Sequence, residues 1–154
     1  MTKHDNVSQG KIMKATEFVK QHGIEKAREL IKRAPSTATH FNYNSLGGHY
    51  AREGVLKMKT QWEWFNTINK EWYYDFAEYN HFELSELKRL VESHELVIVW
   101  RMPEAWSGDY DGDVNGLEGA NMYLEMYGNY ELVGEELERL KQAIADVEAC
   151  HEVN

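Results

Sequence analysis

A single cysteine, Cys150, stands in 154 residues, and that scarcity narrows the options first. No intrachain disulfide can form, and zinc sites built on several thiolates are excluded. Long apolar runs are missing too. The longest, Leu96–Trp100, is five residues, against about 20 for a membrane helix. The opening stretch MTKHDNVSQGKIMK has no apolar signal-peptide core. A cytoplasmic location is therefore expected, with no membrane contact. Glycine-rich phosphate loops of the GxGxxG or GxxxxGK[ST] kind are absent, as are HxH and HExxH metal spacings. Nothing repeats at a solenoid period.

The last absence is of positive charge in one part of the chain. Residues 104–154 hold 13 Asp and Glu against only Arg139 and Lys141, a net of −11. Residues 1–103 hold 13 acids and 15 Lys and Arg, a net of +2. An acidic surface of that density keeps a protein soluble, or meets a basic partner by imitating nucleic acid. Direct nucleic-acid binding is disfavoured, because phosphate contacts need a Lys/Arg footprint.

What is present describes a folded chain. Apolar residues make up 42% and charged residues 28%, and 5 Trp, 9 Tyr and 5 Phe supply rings that disordered chains usually lack. The length fits one domain, 1–154, burying roughly 68–70% of its unfolded surface, with residues 1–10 disordered. Ile12, Ala15, Phe18 and Val19, then Ile24, Ala27, Leu30, Ile31 and Ala34, recur at helical spacing. Gly23 separates the two helices at a position suited to a left-handed cap. Pro35 closes the second. A short strand is expected around Thr39–Tyr43.

From Leu56 to Trp64 the period becomes two, and again from Trp72 to Phe76. This predicts two antiparallel strands around an irregular loop containing Ile68. Ser85 is the expected N-cap of a helix to about His94. Leu96–Trp100 reads as a buried strand. A helix is expected at 117–127, and an amphipathic acidic helix at 133–149 with Leu137, Leu140, Ile144 and Val147 inward. The class is α+β: an antiparallel hairpin or meander packed with several short helices, ending in that acidic helix.

The segments FVKQHGIEKARELIKRAPSTATHF (18–41), WEWFNTINKEWYY (62–74) and LSELKRLVESHELV (84–97) carry a resemblance. They resemble small uncharacterised proteins encoded in bacteriophage and prophage accessory regions. There, a helix pair ending in AP…TH(F/Y), a tryptophan-bearing middle and an LKRLVESHELV-like helix recur. The likeness covers roughly residues 13–97 and brings no catalytic motif with it. It implies a phage-borne accessory gene acting in a bacterial host's cytoplasm, where host-interaction and anti-defence proteins are common.

Three groups of residues are candidates for function. Asp111-x-Asp113-x-Asn115-Gly116 matches the first half of a calcium loop. Position 12, where a bidentate glutamate belongs, is Met122. Asp109, Asp111 and Asp113, with Glu118, are the candidate ligands of a hard cation. Such a string also builds an acidic turn unaided. A small metal-dependent enzyme or metal-binding protein is the alternative reading, and no cofactor is otherwise expected.

The second group is the ring-rich window 62–82. One face of its strands belongs in the core, while Phe65, Tyr73 and Tyr79 are left to anchor a protein partner or to pair two copies in a homodimer. The third group is acidic: Glu118, Glu125, Glu131, Glu135, Glu136 and Glu138. The histidines are scattered, with His40 and His49, or His81 and His94, as pairs that could converge. A nucleophile at Cys150 beside His151 would need a cleft and an orienting group, for which the last turn of a helix is a poor place. The expected activity is non-enzymatic: an accessory protein whose acidic surface blocks a basic site on a host protein, such as a CRISPR effector or a restriction enzyme.

Overall fold

Helical periodicity and alternation dictate most of the architecture. The computed structural model describes residues 14–44, 47–75, 81–102, 115–126 and 134–151. The chain divides into two compact units, Met1–Lys88 and Arg89–Asn154. The expected disorder of 1–10 lies outside the described residues, as do the residues from Phe76 to Asn80.

In the first unit, α1 (Ala15–His22) and α2 (Ile24–Arg33) form the expected pair. Gly23 joins them at φ 88° and ψ 160°. This is positive φ, as glycine allows, but an extended ψ rather than the expected left-handed cap. Five strands follow: β1 (His40–Asn44), β2 (Gly47–Leu56), β3 (Lys59–Asn66), β4 (Glu71–Asp75) and β5 (His81–Glu83). All pairings are antiparallel, in the order β4-β3-β2-β1-β5.

The expected strand from Leu56 to Trp64 is broken. Lys57 and Met58, at φ 51° and 69°, form a two-residue hairpin loop, and Leu56 pairs with Lys59. Two successive positive φ values mark a type I′ turn, whose twist matches the strands. Neither residue is Asn or Gly, so the turn chemistry was invisible in the sequence. The next loop is ordered by Asn66, whose Oδ1 accepts from the amides of Ile68 and Asn69 at 2.9 and 3.3 Å.

Cross-strand partners share a face of the sheet. One face carries Phe41, Tyr50, Arg52, Glu63, Phe65 and Trp72. Phe18, fully buried, packs its ring edge-on against Phe41 and Tyr43, and tilted against Phe82. Helix α1 therefore covers this face. Tyr50 is buried, and its hydroxyl donates to the Leu30 carbonyl at 2.6 Å. That carbonyl lies in the last turn of α2, where no intrahelical partner is guaranteed, so β2 caps α2. Burial holds the Tyr50 hydroxyl above its ordinary pKa, with nearby Arg33 opposing the rise.

The division between units falls within α3 (Leu84–Val99), which begins one residue before Ser85. Ser85 is thus in the first turn rather than capping it, its hydroxyl donating to Glu83 at 3.2 Å. The larger correction is at Leu96–Trp100, which is helical through Val99 and not a strand. Val97 is 1% exposed, whereas Ile98 and Val99 are 60% and 65% exposed. One buried and two open neighbours are a helical stripe, continuing Leu87, Leu90, Val91 and His94. A five-residue apolar run cannot by itself separate the two structures. Arg101 reaches back to the Ile98 carbonyl in the last turn of α3, at 3.4 Å.

The second unit is completed by α4 (Gly116–Met126) and α5 (Glu135–His151). Its core joins Val97, Met102, Ala120, Tyr123, Leu140 and Ile144. Among the described residues, five helices and one five-stranded antiparallel sheet, with a helix last, make the protein α+β. No helix among the described residues is long and apolar enough to cross a membrane.

Candidate functional site

The acidic residues separate by burial. Glu118 and Glu125 lie exposed on α4, and Glu135, Glu136 and Glu138 lie exposed at the start of α5. There, the positive end of the helix dipole favours carboxylates. The two helices pack together, with Asn121 of α4 donating to Glu148 of α5 at 3.3 Å. Glu131 lies outside the described residues.

The two cations of this region are engaged locally. Lys141 stands 3.7 Å from Glu138, and Arg139 donates to the Ser93 hydroxyl at 3.1 Å. The surface carboxylates therefore keep most of their charge uncompensated. Exposed pairs such as Lys141–Glu138 contribute only about 0–1 kcal/mol.

Asp146 differs from these residues. It is 4% exposed and gathers a network between α3 and α5. Arg89 grips both its oxygens, at 3.1 and 3.2 Å. Ser93 donates at 2.7 Å and Gln142 at 2.9 Å. A carboxylate with four donors is satisfied, so this acid orders the helices and offers no free charge. Its signal in the sequence was positional: Asp146 falls three residues after Ala143 and four before Cys150, on the buried stripe.

The rings of the middle segment are largely occupied with one another. Trp64 stacks on Tyr73 at 5.3 Å, and Phe65 meets Trp72 at 5.1 Å. Trp62 stacks on His81 at 4.3 Å. Tyr73 remains 38% exposed, and Tyr79 lies outside the described residues. Phe65 is on the opposite face from Tyr73 and half-buried, so these two do not share a surface.

The histidine rings that meet are other than the pairs that could converge. His40 lies 6.5 Å from His81, both against Trp62, and His94 lies 5.5 Å from His151. Among the described residues no group of three or more His, Cys, Asp or Glu could hold a metal ion. Asp109, Asp111 and Asp113 lie outside them. Cys150 is buried in α5.

Sequence reasoning missed a cavity of about 530 Å³ within the first unit, under α2. Its apolar wall is formed by the rings of Phe41, Tyr43, Tyr50 and Phe65. Its polar edge comes from two distant segments: Lys26, Glu29 and Arg33 of α2, and Thr67 and Lys70 of the β3–β4 loop. Gly48 is required here, because a Cβ at that position would collide with Cζ at the tip of the Phe41 ring. A clue existed in the spacing Lys26, Leu30, Arg33, which puts two cations beside the apolar stripe of α2. The acid-rich window 62–82 concealed it, since Lys70 is the only cation there.

Compared with protein-family models, curated proteins and solved structures, the chain matches none of them.

Proposed function

We propose that the chain is a non-enzymatic protein-binding module whose acidic second unit occupies a basic surface on a partner protein. One observation carries this reading. The carboxylates of Glu118, Glu125, Glu135, Glu136 and Glu138 are exposed on a packed helix pair whose own cations are engaged locally. Negative charge fixed on rigid helices costs little ordering on binding and speeds encounter with a positive patch.

A partner that handles nucleic acid has such a patch, so the glutamates would stand in for phosphates and occlude it. Together with the resemblance to phage accessory proteins, this supports reading the chain as an anti-defence protein of a bacterial cytoplasm. The target would be a nucleic-acid-binding defence complex such as a CRISPR effector or a restriction enzyme.

Affinity capture from bacterial lysate tests this, with the native chain and the Glu135→Lys/Glu136→Lys/Glu138→Lys variant as parallel baits. The expected result is a basic nucleic-acid-binding protein held by the native chain and lost with the variant. Identical protein sets on both baits would contradict the reading. Lysines disfavour a helix N-terminus, so the corresponding triple Gln variant serves as a second bait.

A further inference from the structure

We propose that the cavity under α2 is a binding site for a small planar anion of the nucleotide class, an aromatic base carrying a phosphate. The site lies within the first unit and is independent of the acidic surface.

Three features define the ligand. The cavity, about 530 Å³, is of the size that holds small organic molecules. Its wall offers the rings of Phe41, Tyr43, Tyr50 and Phe65. A base stacks on such rings whatever its identity, since every base has a π-face. Its edge carries Lys26, Arg33 and Lys70 against Glu29 alone, a local surplus of positive charge in a protein of net charge −9. The guanidinium of Arg33 can grip a phosphate through two parallel N–H groups, while the lysines act as point charges.

Other polar groups at the site are assigned by their geometry. The Tyr50 hydroxyl already donates to the Leu30 carbonyl at 2.6 Å, so it contributes only its ring. Thr67 and Tyr43 supply the other hydroxyls of the lining, available to meet a sugar. Ring and charge occupy different walls of one cavity, so a ligand must supply both. An inorganic ion would leave the rings unused, and a neutral ring would leave the cations unused. Glu29 sits among the cations and weakens any anion, which gives the site a signed test.

Titration calorimetry of the full chain with AMP tests the assignment, with adenosine, ribose 5-phosphate and inorganic phosphate as its separated parts. AMP should bind one to one, at least about tenfold more tightly than any part, which is roughly 1.4 kcal/mol. Lys26→Gln/Lys70→Gln should weaken AMP by about tenfold and Glu29→Gln should strengthen it by about threefold, from the range of exposed charge pairs. All three positions are exposed, so circular dichroism should be unchanged. If the double variant misfolds, Lys70→Gln alone carries the test. AMP binding no tighter than ribose 5-phosphate would overturn the proposal. So would weaker binding in Glu29→Gln, or binding of a short oligonucleotide without binding of AMP.

Discussion

The two units of this chain hold their charges in opposite ways. Residues 1–88 carry a net of +2 and residues 89–154 a net of −11, since residues 89–103 hold two acids and two basic residues. In the first unit ion pairs form within α2, between Arg28 and Glu25, and across the sheet. Arg52 reaches Glu63 at 2.9 Å and Thr37 at 2.9 Å, and lies 4.1 Å from the Trp72 ring centre. In the second unit the one buried acid, Asp146, is held by Arg89, while the other described acids are exposed, Glu138 beside Lys141. Burial sorts the acids of the second unit into one that builds the fold and several free to meet a partner. Composition alone could not make that distinction.

The comparison breaks most visibly through its two cores. Phe18→Ala removes a fully buried ring against Phe41, Tyr43 and Phe82, and should cost about 3–5 kcal/mol in denaturant unfolding. Arg89→Ala should cost about 3 kcal/mol, because it leaves the Asp146 carboxylate buried with fewer donors. Asp146→Asn should cost less, since Arg89 is 46% exposed and can turn to water. Equal losses for Arg89→Ala and a surface control such as Glu148→Ala would show that the network does not hold α3 to α5.

Tyr50→Phe sharpens the contrast within the first unit. Losing the hydroxyl that caps Leu30 should cost about 1–2 kcal/mol. Burial raises the Tyr50 pKa above its ordinary value, so the native state resists ionisation. Stability from this group is full below about pH 10, the ordinary tyrosine value, and is lost as pH rises through the raised one. The native protein should therefore lose more stability above about pH 10 than Tyr50→Phe does. Parallel alkaline unfolding curves for the two would refute the assignment.

Much of the fold was legible because it was written in periods. Phe18, Leu30, Leu87, Leu90, Leu140 and Val147 were expected inward and are buried. β1, β3 and β4 were expected, but β2 (Gly47–Leu56) and β5 were not, because the glycines and polar residues of β2 give no alternation to read. What escaped depends on context beyond the local pattern. Leu96–Trp100 is helical because α3 continues its stripe through Val97, which a short apolar run cannot announce. The Lys57-Met58 turn escaped because the usual Asn and Gly are absent. Of the candidate site, the exposure of Glu118, Glu125 and Glu135 was foreseeable from helix phase. The cavity was not, because Arg33 and Lys70 meet only through the sheet.

Smaller effects refine the picture. Lys57→Asn/Met58→Gly should stabilise the protein by about 1 kcal/mol, since both native residues sit at positive φ. An unchanged or lowered melting temperature would argue against the type I′ turn. If the exposed ring of Tyr73 pairs two copies, light scattering at high concentration should give twice 18.0 kDa. A lone 18.0 kDa species would remove the homodimer.

The acidic surface is tested most directly by the ionic-strength dependence of association with a captured basic partner. Exposed charges are screened beyond about 8–10 Å at physiological salt, and steered encounters slow steeply as salt rises. The native chain should lose about tenfold or more in association rate between low salt and roughly 0.5 M, while Glu135→Gln/Glu136→Gln/Glu138→Gln should start slower and fall along a shallower slope. An association rate indifferent to salt, or identical slopes for native chain and variant, would contradict an acidic docking surface.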